Sequence, residues 1–156
     1  AESSAVIFYV FAYSIMTIGA FGVVSVLEKD EDTFITVEHV RGLASRNPVI
    51  AACFSIFLLS LAGVPPMVGF FGKFFLFASA INQGLYWLVI WGVIGSVISV
   101  FYYLRPIVAM YMSQEEGLSV LSHRTLTQGA IVISAGMVLV FGFFSDPVYR
   151  LMAQLF

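Results

Sequence analysis

Charged side chains are scarce in this chain: Asp, Glu, Lys and Arg together account for 10% of its 156 residues. Apolar residues account for 60%, and the mean hydropathy is +0.99, both far from the balance of a soluble domain. Only seven residues are Lys or Arg and they form no cluster, which excludes a nucleic-acid partner because several phosphates could not be neutralised. The composition therefore predicts an integral membrane protein.

Motifs for redox or covalent chemistry are also missing. The one cysteine, Cys53, lies in an apolar run and is predicted to pack there, since a lone thiol forms neither an internal disulfide nor a Cys-based metal site. The sequence has no Cys cluster for iron–sulfur ligation, no Gly-rich phosphate loop after a strand and no nucleophile elbow. His39 and His123 lie in polar loops without metal-ligand spacing. We therefore expect neither a cofactor nor a metal in this chain.

The first apolar segment, residues 4–27, is an uncharged run of the length that a membrane helix needs, about 20 residues. It is longer than the apolar core of a signal peptide, and the chain starts without Met or a basic segment, which predicts one piece of a longer polypeptide. Tyr9, Tyr13 and Thr17 recur at four-residue spacing on one face of this helix. Helix packing is the favoured interpretation of that face, and a proton path is the alternative.

Most of the charge gathers in residues 28–47, which predicts an aqueous loop. Its charged residues are Glu28, Lys29, Asp30, Glu31, Asp32, Glu38, Arg41 and Arg46. A short helix at the membrane interface is predicted by the helical spacing of Val37, Val40, Leu43 and Ala44. Asn47 and Pro48 then signal a helix start, with Asn as the N-cap and Pro at the first helical position.

The next apolar segment, residues 48–82, contains one charge, Lys73, and is interrupted by Gly63-Val64-Pro65-Pro66. Proline removes a backbone donor and clashes with the preceding turn, so residues 51–61 and 67–81 should form separate helical rods. These rods are either two crossings or one crossing broken at residues 63–66.

The distribution of positive charge favours one broken crossing, because cytoplasmic loops are enriched in Lys and Arg. With two crossings, the cations outside the apolar segments divide four against two between the membrane surfaces. With one broken crossing, only Arg150 lies opposite the other five, which are Lys29, Arg41, Arg46, Arg105 and Arg124. The loop of residues 28–47 is therefore predicted to be cytoplasmic.

Two further crossings are predicted at residues 85–104 and 127–144, with Arg105 marking the cytoplasmic surface. A stripe of small residues on the first of them is typical of a helix-packing seam; it consists of Gly92, Gly95, Ser96 and Ser99. The final residues, 147–156, are predicted to form an amphipathic tail on the membrane surface. The whole chain is thus predicted to be one all-α transmembrane domain with four crossings.

Lys73 is the candidate for chemistry, because an intramembrane charge is costly unless it is solvated, paired or neutralised. Desolvation favours the neutral form of an amine, so a lysine there could exchange a proton near neutral pH. Its alternative role is snorkelling to a nearby interface. The break at Gly63, Pro65 and Pro66 would expose backbone groups that must face protein or water, which predicts water close to Lys73.

Three motifs in the middle half of the chain resemble a known family: SLAGVPPMVGFFGKF at residues 60–74, RGLASRNP at residues 41–48 and FYYLR at residues 101–105. The family is that of the proton-conducting membrane subunits of respiratory complex I. The motifs look most like subunit N of bacterial NADH-quinone oxidoreductase, and they resemble subunits of multi-subunit sodium/proton antiporters more distantly.

The resemblance implies the C-terminal part of an antiporter-like subunit built from inverted helix repeats, each with one broken helix. Lys73 would be the broken-helix lysine, a proton relay near the periplasmic exit. The implied function is proton translocation driven by electron transfer from NADH to quinone, with flavin, iron–sulfur clusters and quinone held in other subunits. The implied partners are other membrane subunits and lipid, in the bacterial inner membrane. A sodium/proton antiporter subunit and a structural docking module are the alternatives.

Overall fold

The computed structural model describes residues 2–27, 36–114 and 125–155. Within these ranges the chain forms helices and no strand, which confirms the all-α fold class. The helices are α1 (Glu2–Leu27), a 3₁₀ helix (Val37–Val40), α2 (Leu43–Arg46), α3 (Pro48–Ala62), α4 (Val68–Asn82), α5 (Tyr86–Met112), α6 (Thr125–Phe143) and α7 (Ser145–Leu155). Several predicted loop residues lie outside the described ranges: Glu28, Lys29, Asp30, Glu31, Asp32, His123 and Arg124.

Three of the described helices, α1, α5 and α6, are long and apolar enough to cross a membrane. The helices on either side of the break, α3 and α4, have 15 residues each. At 1.5 Å per residue each is about 22 Å long, less than the roughly 30 Å of a hydrocarbon core. Neither short helix would therefore cross alone.

The contacts of α1 show how α3 and α4 are arranged. In order along α3 and α4, the contacts are Phe57 with Gly19, Gly69 with Met16, Gly72 with Ala12 and Phe75 with Phe8. As the residue numbers rise along α3 and α4, the residue numbers of their contacts on α1 fall. Both short helices therefore run antiparallel to α1, one after the other.

The contacts of helix α5 also show that α3 and α4 follow one another along a single line. Its Gly92 lies against Phe77 of α4, its Tyr103 lines a cavity with Leu61 of α3, and its Ala109 carbonyl accepts a hydrogen bond from the Gly42 amide at 3.2 Å. With 27 residues, α5 is about 40 Å long. It therefore extends beside α4, the break, α3 and the loop that precedes α3.

Helix α5 continues to Met112, beyond residue 104, where the predicted crossing ends. Pro106 lies inside the helix and removes one backbone donor. The segment beyond it packs against the buried core, with Met110 fully buried and Ile107 and Ala109 partly so. This apolar contact extends the helix past the charge of Arg105.

The predicted interfacial helix over residues 37–44 is likewise two shorter pieces, a 3₁₀ turn and α2. They are separated at Gly42, which has φ +63° and serves as the N-cap of α2. That left-handed conformation suits glycine and turns the Gly42 amide toward the carbonyl of Ala109, in the last turn of α5. Val40 and Leu43 are buried on either side of the turn.

Helix α7 begins at Ser145, close to the predicted start of the amphipathic tail; it packs against α1 and contacts α4 through Phe75. The Tyr149 ring stacks on Phe75 with centroids 4.2 Å apart and meets Phe8 edge-on. On its outer face Arg150 Nε donates to Asp146 Oδ2 at 2.9 Å. The helix thus holds α4 from the side that carries Phe75.

Candidate functional site

The break between α3 and α4 begins with a glycine cap. Gly63 has φ +87°, and its amide donates to the carbonyls of Leu59 and Ser60 at 3.1 and 3.0 Å. Positive φ is accessible to glycine without the strain that a Cβ would cause. The chain then passes through Pro65 and Pro66, which are joined by a cis peptide bond.

The two prolines leave two carbonyls of α3 without their helical donors. In a continuous helix the carbonyls of Leu61 and Ala62 would accept from the amides of residues 65 and 66. Both residues are prolines and have no N–H to donate. The C-terminal end of α3 therefore presents two carbonyl oxygens at the break, where the helix dipole is negative.

Lys73 supplies the missing donor. Its Nζ donates to the Leu61 carbonyl at 2.9 Å and lies 3.5 Å from the Ala62 carbonyl. Its stem passes Gly63, where an added Cβ would lie 3.4 Å from Lys73 Cδ. The structure thus brings Lys73 together with Gly63 and with the carbonyls that Pro65 and Pro66 set free.

A glycine and a serine hold α4 at the distance this contact needs. The Gly69 amide donates to Ser60 Oγ at 3.0 Å, and both residues are buried. A Cβ on Gly69 would overlap the Ser60 carbonyl oxygen and would lie 3.0 Å from Met16 Sδ. Close approach of α4 to α3 and α1 therefore depends on the absence of a side chain at position 69.

Lys73 faces a cavity of about 250 Å³ between α1, α4 and α5. Its polar side chains besides Lys73 are Tyr9, Tyr13, Ser96, Ser99 and Tyr103. No carboxylate from the described part of the chain lines it. The ammonium is thus held by main-chain dipoles beside a space large enough for several water molecules.

Other side chains stand apart from this site. His39 Nδ1 accepts a hydrogen bond from the Thr36 amide at 2.9 Å, which closes the 3₁₀ turn. Cys53 is buried in the core, as predicted. Within the described ranges no group of three His, Cys, Asp or Glu residues could hold a metal.

Sequence reasoning named Lys73 and the break but missed its partners. The Leu61 and Ala62 carbonyls could have been found by counting four residues back from each proline. Tyr103 belongs to the FYYLR motif, but it was not predicted to line the cavity beside Lys73. The small-residue stripe on α5 is only partly a packing seam: Gly92 is tight against Phe77, while a Cβ on Gly95 would meet nothing within 4 Å.

Comparison with known sequences gives one family. Residues 1–99 match the family model described as NADH:quinone oxidoreductase/Mrp antiporter, TM. The chain is 49% identical over 150 residues to NADH-quinone oxidoreductase subunit N of Bdellovibrio bacteriovorus, covering 94% of this chain and 30% of that protein. It is 38% identical over 154 residues to the subunit N of Myxococcus xanthus, covering 96% and 30%. The chain thus spans about 30% of the length of these curated relatives.

Comparison with solved structures gives the same fold. A chain of respiratory complex I from Thermus thermophilus, solved with bound aureothin, superposes with a TM-score of 0.84 at 29% identity, covering 94% of this chain and 34% of that one. A chain of the Mrp complex from Dietzia superposes with a TM-score of 0.77 at 18% identity, covering 96% and 36%. The second likeness concerns the fold alone.

Proposed function

Because the chain belongs to the NADH:quinone oxidoreductase/Mrp antiporter membrane family, we propose that it is part of a proton-translocating subunit N of a bacterial NADH:quinone oxidoreductase. In that complex, electron transfer from NADH to quinone drives protons across the inner membrane. Flavin, iron–sulfur clusters and quinone are held by other subunits, and this chain contributes a proton site. Its partners are the other membrane subunits and lipid.

One observation carries the proposal: the Lys73 ammonium donates to the carbonyl of Leu61 at the end of a broken helix. Two carbonyl dipoles stabilise a positive charge, as helix C-termini do, but less than a full carboxylate charge would. A lysine held in this way can lose its proton to water in the adjoining cavity and accept another. Each cycle returns the same amine and moves one proton.

We also propose four crossings, namely α1, the pair α3 and α4, α5, and α6, with residues 28–47 and 113–124 on the cytoplasmic side. The antiparallel order of α3 and α4 along both α1 and α5 supports this assignment. The bond between Gly42 and Ala109 supports it further, because it ties the first loop to the end of α5. Single cysteines at positions 30 and 114 should label from the same side in intact cells. Labelling from opposite sides would rule the assignment out.

The function is tested with Lys73→Ala and Lys73→Arg in the complete complex, purified and reconstituted in vesicles. Arginine stays protonated, so both variants should lose most proton pumping. Arg150→Ala is the control for loss of a cation, since Arg150 is exposed and pairs with Asp146 on the outer face of α7. Normal pumping by Lys73→Arg would count against the relay.

A sodium/proton antiporter subunit is the second candidate, because the family model includes Mrp antiporters and the Dietzia chain shares the fold. The two candidates differ in their complexes. Purification of the native full-length protein should bring flavin and iron–sulfur subunits with it if it is an oxidoreductase. Their absence, with sodium-dependent transport, would favour the antiporter.

A further inference from the structure

Helix α5 has an outer face that points away from the bundle. Spacings of three and four residues place eight of its side chains on this one side of the helix. They are all exposed, and they are Trp87, Trp91, Ile94, Ile98, Phe101, Arg105, Val108 and Met112. The opposite side of α5 meets the bundle through Gly92, Tyr103 and Met110. The outer face of α5 is therefore left for a ligand or a partner.

The ends of this outer face match the two boundaries of a bilayer. Trp87 and Arg105 are 18 residues apart in the sequence. Along a helix this separation is about 27 Å, close to the roughly 30 Å of a hydrocarbon core. Tryptophan is enriched at membrane interfaces, and arginine near a helix end extends its charge into the interfacial layer. The outer face thus has an aromatic anchor at one boundary and a cation at the other.

The side chains of the outer face favour lipid over a packed helix. Helices associate in membranes through Gly, Ala, Ser and Thr, because small side chains let two backbones approach closely. The small residues of α5 are used elsewhere: Gly92 is tight against Phe77 of α4. Ser96 and Ser99 line the cavity between α1, α4 and α5. The outer face consists of bulky side chains, and flexible acyl chains can fill the grooves between them.

A cavity of about 530 Å³ lies where the outer face reaches the loop before α3. Arg105 lines it from α5, and Arg41 lines it from the end of the 3₁₀ helix. Glu38 is the one carboxylate among its described lining residues. Val108 and Met112 of the outer face form part of its apolar wall. The cavity thus joins two guanidinium groups, against one carboxylate, to the apolar face of a membrane helix.

Two hydrogen bonds fix the backbone that carries Arg41. The Gly42 amide donates to the Ala109 carbonyl at 3.2 Å, which holds the loop against α5. Arg46 Nη2 donates to the Arg41 carbonyl at 2.7 Å. Arg41 and Arg105 therefore line the same cavity because the fold ties their two segments together, and not through a flexible loop alone.

The charges of the cavity are incompletely matched within the described residues. Arg41 Nη2 lies 3.6 Å from Glu38 Oε1, longer than a charge-assisted hydrogen bond of about 2.7–2.9 Å. Arg105 makes no hydrogen bond or ion pair with any described residue. A guanidinium at the boundary of a membrane binds carboxylates and phosphates well. Arg105 is therefore available to an anion from outside the chain.

We propose that this cavity binds the phosphate of an anionic glycerophospholipid, whose acyl chains lie along the outer face of α5. Arg105 and Arg41 bind the phosphate oxygens, which a guanidinium can contact with two parallel hydrogen bonds. From Arg105 to Ile94 the helix spans about 16 Å, close to half of a hydrocarbon core of about 30 Å. A chain that starts at the phosphate thus passes Phe101 and Ile98 and ends near the middle of the bilayer.

The two parts of the site select an amphipathic ligand. A free phosphate would gain only the contact with the arginines, and a neutral lipid would gain only the apolar contact. An anionic phospholipid gains both in one molecule. The proposal requires α5 to cross the membrane, and it does not depend on proton transfer by Lys73.

The test uses the complete complex in nanodiscs of phosphatidylcholine that contain a small fraction of phosphatidylglycerol with a photoreactive acyl chain. Mass spectrometry of α5 peptides after illumination measures the labelling. Arg105→Gln should lower it about fivefold, as expected when an anionic lipid loses one cationic contact. Adding Arg41→Gln should lower it further, whereas Arg105→Lys should lose less than Arg105→Gln. Arg150→Gln is the matched control and should label like the parent, because Arg150 is exposed on α7 and pairs with Asp146.

Competition in the parent complex tests the chemistry of the ligand without relying on any variant. Unlabelled phosphatidylglycerol should reduce the labelling, whereas the same amount of added phosphatidylcholine and an excess of inorganic phosphate should not. Equal competition by phosphatidylcholine would leave apolar contact alone, and displacement by inorganic phosphate would leave a simple anion site. Either result would overturn the proposal, as would parent-like labelling in Arg105→Gln.

A photoreactive phenylalanine analogue at position 101 of the full-length subunit distinguishes lipid from a protein partner. In native membranes it should crosslink to phospholipid. Crosslinking to another subunit, or to another part of the same polypeptide, would mean that protein covers the outer face and would overturn the proposal. None of these measurements uses pumping, so a failure of the lipid site and a failure of the proton site at Lys73 are separate results.

Discussion

Replacing Gly69 by Ala is expected to destabilise the break and displace Lys73. The added Cβ would overlap the Ser60 carbonyl oxygen, and Met16 Sδ would lie 3.0 Å away. The carbonyl cannot move freely, because it accepts from the Gly63 amide in the cap of α3. The strain must therefore be relieved by moving α4 away from α3.

The expected cost follows from three contributions to the free energy of unfolding. Overpacking of a tight site costs about 1–3 kcal/mol. Loss of the bond from the Gly69 amide to Ser60 Oγ costs about 1 kcal/mol more. Alanine regains up to about 1 kcal/mol in helix propensity, less at the start of a helix, where Gly69 lies. The net destabilisation should be about 2 kcal/mol, or roughly thirtyfold in the unfolding equilibrium.

The assay is equilibrium unfolding of the full-length subunit in mixed micelles, together with proton pumping by the reconstituted complex. Gly95→Ala is the matched control, because a Cβ there would meet nothing within 4 Å. We expect Gly69→Ala to lose stability and pumping, while Gly95→Ala keeps both. If Gly69→Ala were as stable as the parent, the close contact of α4 with α3 would not constrain position 69.

Three further predictions concern other parts of the chain. Lys73→Ala should reduce the quinone reductase activity of the assembled complex, since pumping and electron flow share one free-energy cycle. The flavin and iron–sulfur content of the complex should stay unchanged. Loss of these cofactors at normal subunit abundance would contradict the prediction. Asn47→Ala should lower the free energy of unfolding in micelles by about 1 kcal/mol, because Asn47 Oδ1 accepts a hydrogen bond from the Ile50 amide at 3.2 Å. Asn47→Asp should retain this helix cap. Equal loss of stability in both variants would refute the prediction. Tyr149→Ala should lose about 1 kcal/mol of ring stacking with Phe75. Tyr149→Phe should keep that stacking and therefore lose less stability than Tyr149→Ala in the same unfolding assay.

The sequence predicted the helices where hydropathy alone decides. Residues 4–27 and 127–144 correspond closely to α1 and α6, and the N-cap Asn47 and the break at residues 63–66 lie as predicted. These features follow from local properties, namely apolar length, a capping side chain and the missing donors of proline. They required no knowledge of distant neighbours.

The helix ends that local hydropathy did not predict depend on contacts between distant parts of the chain. Helix α5 continues past Arg105 because its later residues pack on the loop before α3, and α2 is separate because Gly42 turns toward Ala109. Such contacts outweigh local hydropathy. The partners of Lys73 were hidden for another reason: they are main-chain atoms, and their availability depends on the prolines four residues later.

That main-chain partnership has a consequence for genetics. Lys73 donates to the carbonyls of Leu61 and Ala62, which every amino acid at those positions would also carry. A screen of side-chain substitutions at positions 61 and 62 would therefore fail to reveal them as the lysine's partners. The mutations that alter the contact should instead map to Gly63, Pro65, Pro66 and Gly69, residues that never touch the proton. Mutations that suppress a weakened hydrogen bond of Lys73 should arise among those residues, because the backbone conformation at the break positions the carbonyls that Lys73 contacts.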